Sequence, residues 1–224
     1  MNTEVFKYIG IRVVLVALFF SLNITLCNKE GYASRIFVDE YVEDCRAEKI
    51  SEYDAIFREN AQRLGWDWRM LASVVWNESR FNNDVISSQG ARGLMQFMPR
   101  TAERFGLVGD EVLVPSKSIQ AGVEYLLFLE RRFSEIEDHD ERIKFVLAGY
   151  NAGPGHVRDA MALAKKYGDN PHVWSGSVEK WLLALQEAKY YNDEVCKHGF
   201  FRGRYTMRYV QKVFDQYYIY IEKK

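Results

Sequence analysis

The 224-residue chain has little of what most metal and nucleophile chemistry requires. Its four histidines (His139, His156, His172, His198) are isolated, and neither they nor its three cysteines (Cys27, Cys45, Cys196) show HExxH or CxxC spacing. Zinc sites draw their ligands from such pairs, so no metal site is expected. A Walker loop and a GxSxG elbow are also missing, and with them the usual signatures of a phosphate cradle and of an activated serine. "GPG" at 153–155 has neither a strand before it nor Lys-Ser/Thr after it and reads as a turn between helices. No cofactor is implied. Charge of one sign is lacking as well: the formal net charge is −1, which leaves no basic field to attract nucleic acid, and no RNA- or DNA-binding motif is present. No segment combines period-two alternation with hairpin turn chemistry, so strands are not expected either.

What is there describes a folded domain. Hydrophobic residues make up 48% of the chain, aromatics 15% and charged residues 27%, a globular composition with enough length for one sizeable core or a domain with an extension. Most of the aromatic side chains read as core, and the remainder as stacking platforms in a groove.

The N-terminus reads as an export signal. Lys7 and Arg12 precede the apolar run "VVLVALFFSLNITL" (13–26), and Cys27 follows. Basic residues before about 7–15 apolar ones form a secretory signal, and the run is short against the about 20 residues of a membrane span. An uncleaved anchor stays open, because Tyr8, Ile9 and Ile11 extend the apolar stretch. "ITLC" (24–27) resembles a bacterial lipoprotein signal in which Cys27 becomes the lipidated first residue; Leu26 departs from it, since a small residue normally precedes the Cys. Residues 28–50 then read as a tether. Export admits disulfides, so Cys45 and Cys196 are expected either to pair, tying the N-terminal segment to the C-terminal region, or to remain two unrelated thiols.

From residue 51 the signals are helical. Ser51, Glu52 and Asp54 start a helix that Gly65 stops, and Asp67 caps the next. Pro99 suits the first turn of a short helix ending at Gly106. Ser116 is expected to cap a helix through Phe133. Further helices are expected over 140–150, 156–167, 178–186 and 208–222, and the charge run "EIEDHDER" (135–142) reads as solvated loop or cap. The fold class is all-α.

In the second of these helices Leu71, Val74, Val75 and Glu78 fall at i, i+3, i+4 and i+7, the apolar face of an amphipathic helix. A carboxyl group there is out of place. One account puts Glu78 at the polar margin, paired with Arg80 or Arg92. The other makes it a buried acid with a raised pKa, which general-acid cleavage of a glycosidic bond needs. Two features support the second. "NNDVISSQGARG" (82–93) is rich in small polar residues and Gly, as a groove wall is. "GLMQFMP" (93–99) sets Gln96 between Met95 and Met98, an amide among soft side chains suited to orienting a ligand.

"WNESRF" (76–81), "GARGLMQFMPRTA" (90–102), "AGYNAGPGHV" (148–157) and "YVQKV" (209–213) resemble, in that order, four signatures of the soluble lytic transglycosylase family. The resemblance covers about residues 51–222 and is strongest to the catalytic module of the family's membrane-bound F type. It implies a lysozyme-like fold related to goose-type lysozyme and a catalytic domain over 51–224. The F type also carries an N-terminal solute-binding-like domain, which is not expected here because residues 28–50 are too few to form it. With the export signal read above, the expectation is an exported, periplasmic, membrane-tethered protein acting on peptidoglycan glycan strands. The bond cleaved is MurNAc–GlcNAc β-1,4, without water, to give 1,6-anhydromuramoyl products.

Residue by residue, the resemblance implies Glu78 as the single catalytic acid and later base. Ser79 and Ser87 lie on the segment that positions the muramoyl group. Gln96 hydrogen-bonds the glycan, and Met95 lines the cleft. Tyr150 and Asn151 reach the site, with the Tyr150 hydroxyl orienting Glu78, and Tyr209 matches the aromatic residue of the last motif. Most glycosidases use two carboxylates, whereas here the substrate's acetamido group is expected to stabilise C1 while its own 6-hydroxyl attacks, so one suffices. Gly149 and Asn77 stand where relatives often have Ala and Gln. The competing readings are a hydrolytic muramidase on the same bond, favoured by a positioned second carboxylate, and a non-catalytic glycan-binding protein.

Overall fold

Local chemistry sets the helix ends. The computed structural model describes residues 49–222. Within them, α1 (Asp54–Leu64) stops at Gly65, which takes a left-handed φ of 68° at no steric cost. The next helix, α2 (Trp68–Ser79), is capped by the Asp67 carboxylate, which accepts from the Arg69 N–H at 2.8 Å. α3 (Pro99–Arg104) and α4 (Pro115–Arg132) both begin on proline. Ser116 is therefore not the cap of α4. Val114 holds that position, because Pro115 has no N–H to satisfy and its φ is already helical. α5 (His139–Ala152) is capped by Asp138, which accepts from the Glu141 N–H at 2.9 Å. α6 (Pro154–Lys166) again starts on proline, two residues ahead of the expected His156.

A kinked turn over Trp174–Val178 leads into α7 (Glu179–Ala184), the single turn α8 (Ala188–Tyr191) and the long α9 (Arg204–Glu222). Among the described residues there are no strands. A 3-10 turn (Gly109–Leu113) and two isolated bridges, Ile86–Arg92 and Arg92–Phe97, are the other regular features.

The core is organised around α5. Phe145, Val146, Leu147 and Ala148 are four consecutive residues with no exposed surface, so this helix is buried all round rather than along one stripe. It packs against α4, α6 and α9. α2 lies against both α1 and α9, and its Leu71, Val74 and Val75 are fully buried, each worth about 1.5–3 kcal/mol of apolar burial. The expected apolar face of α2 is thus in the core, with Glu78 at its far end.

Cys196 carries a free, half-buried thiol whose pKa is pushed up to about 11, chiefly by burial. Its expected partner Cys45 lies outside the described residues, as do Cys27 and the export signal. No helix among the described residues is long and apolar enough to cross a membrane.

Candidate active site

Glu78 occupies the last turn of α2, and the chain turns sharply after it. Arg80 ends the helix at φ 55° and Phe81 follows at φ 60°. Two consecutive non-glycine residues in the left-handed region are strained. Rings hold them there: Phe81 packs on Trp76 and Phe57 with centroids 5.4 Å and 6.0 Å away, and the Arg80 guanidinium lies 4.7 Å over Trp76.

Among the described residues the carboxyl of Glu78 makes no ion pair. Neither Arg80 nor Arg92 neutralises it, and Arg92 instead bonds Asp110 at 2.7 Å. The side chain keeps a narrow opening to solvent but is otherwise enclosed, and burial lifts its pKa to about 7. Its place at the negative end of the α2 dipole acts in the same direction. The opposing influence comes from Tyr209 on α9. The Tyr209 hydroxyl is buried without a hydrogen bond of normal geometry, so it faces the carboxyl as an unspent donor. Burial, and then the charge of Glu78, push the Tyr209 and Tyr150 phenols well above their ordinary range. No other carboxylate contributes to the shift of Glu78.

Residues 80–98, which follow α2, form a second, irregular wall, joined to the neighbourhood of Glu78 through the Tyr150 hydroxyl, which donates to the Met95 carbonyl. Ser87 and Ala91 close a turn: Ala91 N–H donates to Ser87 Oγ and Ser87 N–H to the Ala91 carbonyl, both at 2.9 Å. The Gly-Leu-Met-Gln run fits for separate physical reasons. Gly93 has φ 74°, and a β-carbon on it would stand 2.3 Å from the Val112 carbonyl oxygen, so only glycine is admitted. Leu94 and Met95 are fully buried. Gln96 adopts φ 49° and donates its amide to the Val85 and Gly93 carbonyls at 3.2 Å and 3.0 Å.

Of the expected site residues, Glu78, Tyr150 and Tyr209 come together and interact electrostatically. Gln96 directly follows the Met95 carbonyl to which Tyr150 donates. Met95 and the hydroxyl of Tyr150 make contacts other than those expected, and Ser79 and Asn151 spend their polar groups within the fold. Met95 does not line an open cleft: its side chain packs against Gly122 of α4, where a β-carbon would come within 2.3 Å of it. The Tyr150 hydroxyl does not reach Glu78; it donates to the Met95 carbonyl at 2.8 Å. Ser79 is buried and returns its hydroxyl to the Val75 carbonyl, 3.2 Å away. Asn151 is exposed and accepts from the Thr206 hydroxyl at 2.7 Å, linking the end of α5 to α9.

Three contributors escaped the sequence reading. Asn77 donates to the Ser73 carbonyl at 2.9 Å and the Lys212 carbonyl at 3.3 Å, tying α2 to α9 beside Glu78. Tyr125 lays its ring 5.1 Å from that of Tyr150. Gly122, a lone glycine inside a helix, carried the one signal that could have been used, since such a glycine marks a close approach. Among the described residues no group of three or more His, Cys, Asp or Glu is arranged to hold a metal ion.

The profile of the transglycosylase SLT domain matches residues 55–173. The chain belongs to the SLT domain family. It is 38% identical over 176 residues to the membrane-bound lytic murein transglycosylase F of Desulfosudis oleivorans, a match covering 79% of this chain and 38% of that protein. The same-named protein of Haemophilus influenzae is 35% identical over 191 residues, covering 83% and 38%. The SLT chain thus spans 38% of the length of these curated relatives.

Among solved structures it is similar to lytic transglycosylase Slt of Pseudomonas aeruginosa, crystallised as an inactive Glu-to-Gln mutant, with TM-score 0.53, 26% identity and coverage of 77% and 24%. The 70 kDa soluble lytic transglycosylase of Escherichia coli gives TM-score 0.52 at 23% identity, covering 75% and 24%, a likeness of fold. The SLT chain therefore has the expected helical, lysozyme-like architecture.

Proposed function

We propose that the protein is a peptidoglycan lytic transglycosylase, cleaving the MurNAc–GlcNAc β-1,4 bond without water to leave 1,6-anhydromuramoyl ends. The observation that carries this is Glu78, a lone carboxyl brought to about pKa 7 by burial at a helix end, with no second acid acting on it. A group of that pKa holds a proton to give and can take one back at neutral pH. Glu78 protonates the glycosidic oxygen as the C1–O bond breaks, and the substrate's 2-acetamido group stabilises the charge at C1. The carboxylate so formed removes the proton of the muramoyl 6-hydroxyl, whose oxygen closes on C1. The proton count balances and Glu78 ends protonated. An intramolecular nucleophile gains effective molarity and needs no second carboxylate, whereas hydrolysis uses a second one to prepare water.

Within this reading Tyr209 orients the carboxyl and Gln96 shapes the glycan-facing wall. Tyr150 holds the backbone of the Gly-Leu-Met-Gln run, and Ser79, Ser87 and Asn151 support the walls from behind. The 51–224 region is the catalytic domain. Residues 1–27 export the chain and anchor it at a periplasmic membrane, through Cys27 if it is lipidated, and 28–50 form the tether; the relatives' designation as membrane-bound supports this.

The test is mass spectrometry of muropeptides released from purified peptidoglycan, beside Glu78→Gln. Products about 18 Da below the reducing forms are expected, since ring closure replaces the addition of water, and none from the variant. Reducing ends would make the protein a muramidase. Binding without products from the unaltered protein would make it a glycan-binding protein.

A further inference from the structure

One stretch of the chain breaks the electrostatic pattern of the rest. Between Glu194 and Asp215 stand five Lys or Arg residues (Lys197, Arg202, Arg204, Arg208, Lys212) and no acid, in a protein of formal net charge −1. All five are exposed, and none makes a side-chain hydrogen bond or ion pair among the described residues. Elsewhere among the described residues ten cations are met by acids, as in Arg92–Asp110, Arg142–Glu130 and Lys166–Asp193, and those without an ion pair, such as Arg100 and Arg104, have acids close by in sequence.

Three of the five form a ridge on α9. Arg204, Arg208 and Lys212 lie at i, i+4 and i+8, so each has a like charge one turn away, which disfavours the helix. Arg204 is also the first residue of α9, at the positive end of the helix dipole, with no acid in that turn. Both arrangements cost stability in the free protein, and an anion along the ridge relieves both.

The ridge adjoins the Glu78 site. Tyr205 and Lys212 stand four residues before and three after Tyr209, which puts them on its side of the helix. Tyr205 is 68% exposed. The Lys212 carbonyl receives the Asn77 amide, one residue from Glu78.

We propose that this ridge recognises the carboxylates of the peptide side chains carried by the glycan strand, and that the protein acts preferentially on peptide-bearing strands. The inference rests on the transglycosylase reading. From Arg204 to Lys212 the ridge runs about 12 Å at 1.5 Å per residue. A strand stripped of peptide keeps a single lactyl carboxylate close to each muramoyl ring and can meet only one end of such a ridge. A peptide with several carboxylates can follow it.

The test compares the full chain with the Arg204→Gln/Arg208→Gln/Lys212→Gln variant on native strands, on strands with amidated carboxylates and on amidase-stripped strands. The unaltered protein is expected to show a KM about tenfold lower for native than for amidated strands, the combined effect of three exposed charge pairs, and the gap narrows with salt. The variant loses the preference, keeps the unaltered protein's kcat on amidated strands, and melts no lower. Equal KM values for the unaltered protein on native and amidated strands overturn the proposal, as does a variant that keeps the preference.

If phosphatidylglycerol vesicles retain the unaltered chain but not the variant while strand preference survives, the ridge serves a lipid surface and the proposal is overturned. Absence of turnover on every strand would instead remove the transglycosylase reading. Retention of Glu78→Gln on native and amidated sacculi then decides: charge-dependent retention supports the ridge, and equal or absent retention overturns it.

Discussion

The two walls of the Glu78 site are built by opposite means. On one side α2 and α9 are continuous helices whose backbones satisfy their own hydrogen bonds, with polar links between them at Asn77–Lys212, at Tyr217 with the Asp67 cap, and at Glu78–Tyr209. On the other, residues 80–98 have almost no regular structure, and side chains complete the backbone: Gln96 serves Val85 and Gly93, Ser87 serves Ala91, and Asn83 serves the Leu113 carbonyl. Buried backbone groups must find partners, so an irregular wall consumes polar side chains before any ligand arrives. The helical wall consumes fewer, Asn77 and Ser79 among them, and leaves Glu78 and Tyr209 without hydrogen bonds of normal geometry. The titratable pair sits on the wall that needs less polar help.

The largest test of this contrast is Glu78→Gln. A near-isosteric change on the self-sufficient wall is expected to cut turnover about 10²- to 10⁴-fold, the usual share of a general acid, with the fold intact by circular dichroism. A comparable loss from any single residue of 80–98 with its stability unchanged would break the contrast.

The same variant carries a stability signature. Between the ordinary carboxyl value of 4.5 and the folded value of about 7, the folded protein holds a proton that the unfolded chain has released. Stability from this group is therefore full below about pH 4.5 and is lost as pH rises through 7, on the order of 3 kcal/mol in all. Melting curves at pH 5 and pH 8 are expected to show this loss in the unaltered protein and its absence in Glu78→Gln. Parallel pH slopes would mean that the carboxyl is not enclosed.

Gln96→Ala probes the other wall. It removes one of two donors from each carbonyl, since the Gly93 N–H still reaches Val85 and the Gln96 N–H still reaches Gly93, and so costs about 0.5–1.5 kcal/mol for each bond lost. Hydrogen exchange at residues 85–97 is expected to quicken, and activity to fall together with local protection. Full activity beside lost protection would show that the wall need not be held.

The finest comparison is between the two tyrosines. Tyr209→Phe removes the group that opposes the shift of Glu78, so the pH at which activity falls as the acid loses its proton moves upward. Tyr150→Phe leaves the Met95 carbonyl without a donor, about 1 kcal/mol or more, and lowers the melting temperature while that pH limb stays in place. Exchanged outcomes would return to Tyr150 the orienting role expected from its motif.

Helix positions were readable wherever one physical cause acted alone. Asp67 and Gly65 end helices through their own chemistry, and the face of α2 follows from spacing, whereas Asp138 lay in a charge run that did not single it out as the cap. Ser116 misled because a proline one residue earlier commands the same end. The meeting of Glu78 and Tyr209 was legible in part, from an ionisable group that contradicts its apolar face and from the last motif. The site was not readable at Ser79, Met95 or Tyr150. Residue type reports what a side chain can bond, whereas the bond made depends on which carbonyl or cavity the fold brings to it. Nothing in the sequence places Met95 against Gly122.

That contact ties two distant positions into one inheritance. A β-carbon at 122 would stand 2.3 Å from the Met95 methyl, so a side chain there forces the Met95 side chain to shift, on the residue whose carbonyl Tyr150 holds. A lineage that changes the one must first shrink the other. The pair is a place where descent through single substitutions is blocked in one order and open in the reverse.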